Sequence, residues 1–269
     1  MKSNLLKIVV GSAILCTTAS FAQTKAPEPD YTLAYNVGVV TDYRFRGLSQ
    51  TTLKPALQLG VDYAHKSGFY LGAFGSNVSW VKDFNQATKG SYEVDLYGGL
   101  KGTITGDLGF DVGLIAYIYP NNNSGNVGTP GAGSYSNANT NEIYAGLTYN
   151  VFSFKYSRSL GDFLGNLRSN GSQYFDLSAN FDLGNGFTLT PHIGRQTVPN
   201  QNIGGSTDGK AANYMDYALT LGKDFGSGFS GSAALIGTST KTGAGTFYRD
   251  SKNKDLGKGT LVVGVKYTF

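Results

Sequence analysis

The chain has 269 residues, of which 38 are Gly, and only 15% of its residues are charged. Because glycine is costly inside helices, this composition excludes a helical bundle or a coiled coil. Aromatic residues reach 13%, which excludes a disordered chain, and a formal net charge of +4 gives no indication of a nucleic-acid partner.

The first 22 residues have the pattern of a cleaved secretory signal peptide. Two lysines precede an apolar run at 8–16, and the small residues Ser20 and Ala22 precede the expected cleavage before Gln23. The apolar run is too short to be a membrane-spanning helix. Cleavage removes Cys16, the only Cys, so we expect no disulfide, no Cys-ligated metal and no cofactor.

Alternating apolar and polar residues predict β-strands along most of the remaining chain. In 32–46 the odd positions are apolar or aromatic, and the even positions are mostly small or polar. A period of two places these two kinds of side chain on opposite faces of a strand. The pattern recurs at 57–64, 69–79, 92–102, 110–119, 142–149, 152–159, 172–182, 187–196, 213–224, 229–239 and 260–269.

The connections between these segments alternate in length. Short links marked by Gly or Asn are followed by Phe69, Phe110, Phe152, Phe187 and Phe229. Longer polar links include 121–140, 197–212 and 240–259. Strands of this length with such connections predict an all-β, transmembrane antiparallel up-and-down barrel of about 12 strands over 31–269. Residues 23–30 are then a short periplasmic linker, the short turns are periplasmic and the longer loops are extracellular.

Two other β architectures fit the pattern less well. A propeller has four strands in each repeat of about 40 residues, whereas this chain has two, and no Gly-His and Trp-Asp signature is present. A soluble barrel has its apolar face inward and its charges outward. These strands would then either bury charges such as Asp62 and Lys155 opposite a dry core or leave an apolar band in water. Hydrocarbon favours a closed barrel with its apolar face outward, which places the protein in the bacterial outer membrane.

The polar face of the strands is then the wall of the lumen. The candidate pore-lining residues are Asp42, Arg44, Arg46, Asp62, Glu93, Asp95, Lys101, Asp111, Tyr117, Glu142, Lys155, Asp176, His192, Asp216 and Lys266. Acids outnumber bases on this face, which predicts a mildly cation-favouring interior. Alternatively, the charges pair with one another and only fill the barrel. We expect the long loop at 121–140 to fold inward and constrict the lumen.

The last strand ends in an outer-membrane assembly signal. Val265, Tyr267 and Phe269 alternate up to the terminal Phe, so the barrel assembly machinery and periplasmic chaperones are expected partners. Basic residues on the outer side are candidate contacts for the phosphates of lipopolysaccharide, or are simply solvated. These residues are Arg158, Arg195, Arg249, Lys252, Lys254 and Lys258. The oligomeric state is left open.

A short series of motifs resembles the TorF family of putative porins of proteobacteria. It consists of Thr-Asp-Tyr-Arg-Phe-Arg-Gly-Leu-Ser-Gln at 41–50, Pro-Ala-Leu-Gln at 55–58, Asp-Tyr at 62–63, Ser-Gly-Phe-Tyr at 67–70 and Ser-Asn at 76–77. The resemblance implies an outer-membrane barrel assigned as a porin and brings no catalytic residues. Members of that family often have a Trp near position 74, whereas the only Trp here is Trp80.

The function that the sequence favours is passive diffusion of small hydrophilic solutes or ions, without enzymatic activity. One alternative is an outer-membrane enzyme that hydrolyses lipid or peptide with His192 as its base. Another is a filled barrel without conductance that serves adhesion or envelope structure. Neither His65 nor His192 has the neighbours in sequence that a metal site needs.

Overall fold

The computed structural model describes residues 29–205, 207–243 and 245–269. The signal peptide, its cleavage site and most of the linker at 23–30 lie outside the described residues. The elements are β1 (Tyr31–Val40), β2 (Arg44–Phe45), β3 (Leu48–Ser49), β4 (Ala56–His65), β5 (Phe69–Asn77), α1 (Trp80–Asp83), β6 (Tyr92–Thr105), β7 (Leu108–Ile118), β8 (Thr140–Tyr149), β9 (Phe152–Ser159), β10 (Gln173–Ala179), β11 (Phe181–Gly184), β12 (Phe187–Thr197), β13 (Tyr214–Gly226), β14 (Phe229–Thr238) and β15 (Thr260–Thr268).

All strands except β2 and β3 form one closed antiparallel barrel. Consecutive wall strands pair with each other, and β1 closes the barrel by pairing with both β4 and β15. At this seam Val39 lies opposite Leu57 on one side and Val265 on the other. β10 and β11 are two parts of one wall strand, interrupted at Asn180, and both pair with β12. The wall therefore has twelve strands, which confirms the predicted fold.

The two faces of the wall differ as the alternation predicts. Apolar side chains such as Leu59, Leu114 and Val265 point away from the barrel and are more than half exposed. Most charged residues of the strands lie on the opposite face, toward the lumen, whereas Arg158 and Arg195 share the outer face. This distribution is the reverse of that in a soluble barrel, because the apolar side chains form the outer surface.

The two ends of the barrel also differ. Turns at 66–68, 106–107, 150–151, 185–186 and 227–228 lie at one end, together with both ends of the described chain. There Phe269 exchanges backbone hydrogen bonds with Tyr35, and the two rings stack. Loops at 41–55, 78–91, 119–139, 160–172, 198–213 and 239–259 lie at the other end. We call these the turn end and the loop end.

The first strand is shorter than the sequence predicts. β1 ends at Val40, whereas the alternation continues to Arg46. The chain leaves the wall at Thr41 and reverses in the β2–β3 hairpin, where Arg46 and Gly47 both have positive φ angles of 48° and 78°. Asp42, Arg44 and Arg46 are therefore not wall residues, which corrects their predicted position. Among the described residues, no helix has the length and apolar character needed to cross a membrane.

Candidate functional site in the barrel lumen

The strands bring the other predicted lumenal residues onto the inner face of the wall. Register pairs Lys101 with Asp111 and Lys155 with Asp176, so charges of opposite sign alternate across neighbouring strands. The twelve residues placed in this way are Asp62, Glu93, Asp95, Lys101, Asp111, Tyr117, Glu142, Lys155, Asp176, His192, Asp216 and Lys266. Their role in lining a pore stays a prediction.

Residues 41–55, which we call the inward segment, cross the lumen. Asp42 organises this segment, because its carboxylate accepts hydrogen bonds from Arg44 Nε at 2.6 Å and from Ser49 Oγ at 2.5 Å. Arg44 also donates to the carbonyl oxygens of Gly47 and Leu256. The segment is thus tied both to itself and to the loop at 239–259.

Arg46 attaches the inward segment to the far wall. Its guanidinium forms an ion pair with Glu142 at 2.6 Å and donates to Gln196 Oε1 at 2.8 Å. The same group lies 4.3 Å from the centre of the Tyr174 ring. Burial alone would lower the pKa of Arg46, but Glu142 outweighs this effect and the pKa is raised. A charged, planar group held on three sides fixes the segment in position.

Gly47 shows how closely the inward segment approaches the opposite side of the barrel. A Cβ atom at this position would lie 2.7 Å from both Asp216 Cβ and Thr238 Cγ2. Tyr43, at the start of the segment, donates from its hydroxyl to Glu93 at 2.6 Å. The segment therefore touches strands on several sides of the lumen and occludes its middle.

Toward the loop end, the inward segment and the other five long loops meet in one apolar cluster that we call the lid. Its centre is formed by Trp80 and Val81 of α1 and by Phe84, which directly follows this helix. The other loops and strand ends contribute Tyr43, Phe45, Tyr117, Tyr119, Tyr135, Ala138, Phe163, Leu164, Val198, Ala212, Phe247, Tyr248 and Leu256. The loop end of the barrel is therefore closed by packed side chains.

The loop expected to constrict the lumen belongs to this lid instead. Asn123 in that loop accepts hydrogen bonds from the backbone of Thr88 and Lys89, and Ser136 N donates to the carbonyl oxygen of Gly165. The prediction for 121–140 was therefore wrong, and 41–55 is the segment that enters the lumen. A polar loop sequence looks the same in both positions, so no local pattern distinguishes a loop of the lid from a loop that enters the lumen.

Between the inward segment and the turn end lies a cavity of about 570 Å³. Asp62, Asp95 and Asp111 line it together with Lys101 and Lys155. Lys101 is exposed near the turn at 106–107, so the cavity reaches toward the turn end. This hollow is the polar half of the lumen.

Several of the lumenal carboxylates accept hydrogen bonds from tyrosine hydroxyls. Tyr97 donates to Asp62 at 2.5 Å, and Tyr70 donates to Asp111 at 2.6 Å while also contacting Tyr144. The partner of Asp62 and that of Asp111 is thus an uncharged tyrosine hydroxyl and not a basic side chain. The two lysines of the cavity lie over rings instead, Lys155 at 3.9 Å from the centre of Tyr144 and Lys101 farther from Tyr70.

His192 forms a separate cluster on the wall. Its Nε2 atom lies 2.8 Å from Asp216 Oδ2, and its Nδ1 atom lies 3.4 Å from Asp176 Oδ2. Tyr174 donates to the same Asp216 carboxylate. Within the described residues, no Ser or Thr hydroxyl forms a hydrogen bond with His192, and no group of His, Cys, Asp or Glu side chains is arranged so that it could hold a metal ion. The cluster lacks the nucleophile that a hydrolase of this type needs.

The basic residues predicted at the outer side have mixed environments. Lys252 pairs with Asp83 at 2.5 Å and Arg249 with Asp255 at 2.9 Å, so these two stabilise the lid. Arg158 and Arg195 are exposed.

The residues of the predicted assembly signal lie toward the turn end. Val265 is exposed on the outer face, and Tyr267 stacks with Phe269. These positions are compatible with contact to lipid and with the predicted assembly signal.

Several residues that shape the lumen are not among those predicted from the sequence. Phe45 packs against Tyr117 with the ring centres 5.2 Å apart, and Phe163 lies beside Arg46. Gln196 is fully buried beneath the guanidinium. Gln196 occupies a polar-face position in its strand, so its parity could have identified it. Phe45 and Phe163 carry no comparable signal, because they lie outside the wall.

Solved structures with a similar fold include two porins. The KdgM porin in complex with disordered oligogalacturonate is 9% identical, with a TM-score of 0.50, over 88% of this chain and 98% of that chain. The NanC porin in its rhombohedral crystal form is 9% identical, with a TM-score of 0.52, over 88% of this chain and 99% of that chain. At these identities the likeness shows a shared barrel fold.

Sequence comparison shows the family directly. No curated protein sequence matches the chain. A family model covers residues 24–269, which include every residue that the structure describes, and its family is described as a bacterial protein of unknown function. This chain belongs to that family, Gcw_chp.

Proposed function

We propose that the protein is an integral outer-membrane channel of porin type, which admits small hydrophilic solutes or ions and is held closed by the inward segment. One observation carries this proposal: a closed barrel with an apolar outer surface surrounds a charged lumen that contains a cavity of about 570 Å³. The apolar surface needs lipid around it, and a charged hollow serves polar solutes. The two porins of similar fold and the TorF resemblance of residues 41–77 agree with this proposal.

Planar-bilayer recording tests the proposal directly. The wild-type protein is expected to conduct rarely, because 41–55 fills the middle of the lumen. Replacing residues 43–53 with a short Gly-Ser linker removes the obstruction and also takes Tyr43 and Phe45 out of the lid, which loosens the closed end, so a stable open level is expected. The matched control deletes 126–128, an exposed part of the loop at 119–139, and is expected to leave the wild-type behaviour unchanged.

The same recordings test ion selectivity. Seven acids but only three lysines or arginines of the predicted pore lining lie on the wall strands, so a salt gradient is expected to give a cation-selective reversal potential. An anion-selective potential would contradict the proposed lining.

We extend the proposal to the surroundings and partners of the protein. Outer-membrane lipid and lipopolysaccharide surround the barrel. The barrel assembly machinery and periplasmic chaperones are its partners during biogenesis, after cleavage before Gln23.

A filled barrel without conductance is the second candidate, and the lid favours it. Six loops packed into one apolar cluster make a stable closed end that would suit an envelope or adhesion protein. If the variant without 43–53 folds and still shows no conductance, this candidate replaces the channel. The hydrolase alternative predicts that His192→Ala abolishes hydrolysis by the purified protein, and the cluster around His192 gives it no further support.

A further inference from the structure

One carboxylate of the cavity has an oxygen atom without a partner. Asp95 lines the cavity and is only 6% exposed, yet its Oδ1 atom accepts no hydrogen bond. Within the described residues, no basic side chain lies within 4 Å of this carboxylate. Burying an unpaired carboxylate is costly, so a cationic group or a proton must stabilise this position.

Aromatic rings line the wall beside Asp95 and lie above it, and the buried carboxyl of Glu93 is two residues away on the same face of β6. Phe74 and Tyr117 are its direct cross-strand neighbours in β5 and β7, and Tyr97 lies two residues farther along the same face of β6. All three rings line the cavity.

The inward segment adds two more rings to this group. Tyr43 packs edge-on against Phe74, with ring centres 5.8 Å apart, and Phe45 packs against Tyr117. Both residues line the cavity as well. We call these five rings and the carboxylate the aromatic cage.

The cations already present are engaged elsewhere. Arg44 pairs with Asp42 and Arg46 pairs with Glu142. Lys101 lies six residues from Asp95 along β6, which is about 20 Å in an extended strand. Arg46 lies 4.7 Å from the centre of the Phe45 ring, but its charge is paired with Glu142. Within the described residues, no basic side chain forms an ion pair with Asp95, so the carboxylate end of the aromatic cage holds no cation of the chain.

The geometry points to a binding site for a small organic ammonium ion, with Asp95 as its counter-ion and the aromatic cage around its alkyl groups. Ring faces attract cations and also bury alkyl groups, and a carboxylate supplies the opposite charge. The inference rests on the proposed channel function and deepens it, because it names the class of solute that the cavity takes.

Ligand binding in detergent tests the inference without requiring conduction. Saturation-transfer NMR on the full-length purified protein uses tetramethylammonium as the probe and tert-butanol as its neutral counterpart of similar shape. Saturable binding of tetramethylammonium, with none of tert-butanol, is the expected result. Asp95→Asn keeps the shape of the side chain and is expected to weaken binding by at least about tenfold.

The matched control is Asp107→Asn, which neutralises an exposed carboxylate in the turn at 106–107, outside the cavity lining. Its affinity is expected to stay within about twofold of wild type, since an exposed charge at a distance is screened. Phe74→Leu retains the charge but removes a ring, so it is expected to weaken binding by several fold. Heat-modifiable mobility in gels identifies the folded barrel for each variant.

Three results would overturn the inference: no saturable binding of tetramethylammonium to folded wild type, equal binding by Asp95→Asn, or equal binding of tert-butanol. The first of these is also expected if a proton rather than a cation stabilises Asp95. Conductance without binding removes this inference alone. Binding without conductance removes the channel proposal and leaves the site.

Discussion

The two halves of the lumen are built on the same wall but filled in different ways. Toward the loop end, the inward segment and the lid pack against the strands, and Arg46 is held by Glu142, Gln196 and Tyr174. Toward the turn end, the wall surrounds a cavity, and Lys155 faces a ring without any ion pair within 4 Å in the described chain. The wall does not determine whether a barrel is open; the loops that enter it do.

The difference also separates structural from accessible charges. A charge in the packed half is buried with a fixed partner, so its removal leaves that partner uncompensated. A charge beside the cavity keeps access to water or solute. We expect substitutions in the loop half to change stability and closure, and substitutions in the turn half to change mainly what the lumen binds or conducts.

The largest expected effect comes from exchanging the cation of each half for Ala. Arg46→Ala leaves Glu142 buried without its partner, at 1% exposure, and is expected to lower the free energy of unfolding by about 3–5 kcal/mol. Lys155→Ala removes a cation–ring contact and is expected to cost about 1 kcal/mol. Urea unfolding in lipid vesicles measures both values.

A double variant tests the cause of the Arg46 effect. Adding Glu142→Gln to Arg46→Ala removes the uncompensated charge, so part of the lost stability should return. Equal losses for Arg46→Ala and Lys155→Ala would mean that the two halves hold their cations in the same way.

A glycine from each half gives the next comparison. Gly47→Ala places a Cβ within 2.7 Å of Asp216 Cβ and adds backbone strain at a φ of 78°, so a loss of about 1–3 kcal/mol is expected. Gly106→Ala adds strain at a φ of 53° but has no atom within 4 Å, and about 1 kcal/mol is expected. Since Gly47→Ala displaces the inward segment, it should also open the channel more often in bilayers, which Gly106→Ala should not. Indistinguishable unfolding and conductance for the two variants would show that Gly47 is not seated against the wall.

The smallest expected effect is a dependence of the lid on pH. Burial alone would raise the pKa of Asp83, but hydrogen bonds from Lys252 and Thr52 outweigh it and lower the pKa. A lowered pKa means that Asp83 stabilises the lid above the pKa of the unfolded state, about 4, and that this support is lost as the pH falls through the folded value.

Trp80, the only Trp, lies buried in the lid beside Asp83 and reports this change. Its fluorescence emission is expected to shift to longer wavelength below pH 4 in wild type. Asp83→Asn removes the titrating group, so its emission should be independent of pH in this range. An unchanged acid transition in Asp83→Asn would assign the effect to another group.

The lumen contains features that the alternation of residues predicts correctly and features that it does not predict. The alternation at 110–119 correctly places Asp111 inside and Val112 outside, because a strand has only two faces. The same rule predicts that β1 continues to Arg46, since Tyr43 and Phe45 continue the alternation of apolar and polar residues in the sequence. The chain leaves the wall there, with positive φ angles at Arg46 and Gly47, and the residues that lie beside these two, Glu142 and Asp216, are far away in sequence.

The amino-acid sequence by itself determined the twelve-stranded barrel, its apolar outer face and the different ends of the wall, because each follows from a local period of two and from the lengths of the connections. Only the tertiary structure decided which loop enters the lumen, how the lid closes one end and that Asp95 faces a cage of aromatic rings. These features depend on side chains from strands and loops that are distant in the chain, and no local pattern records which of them meet.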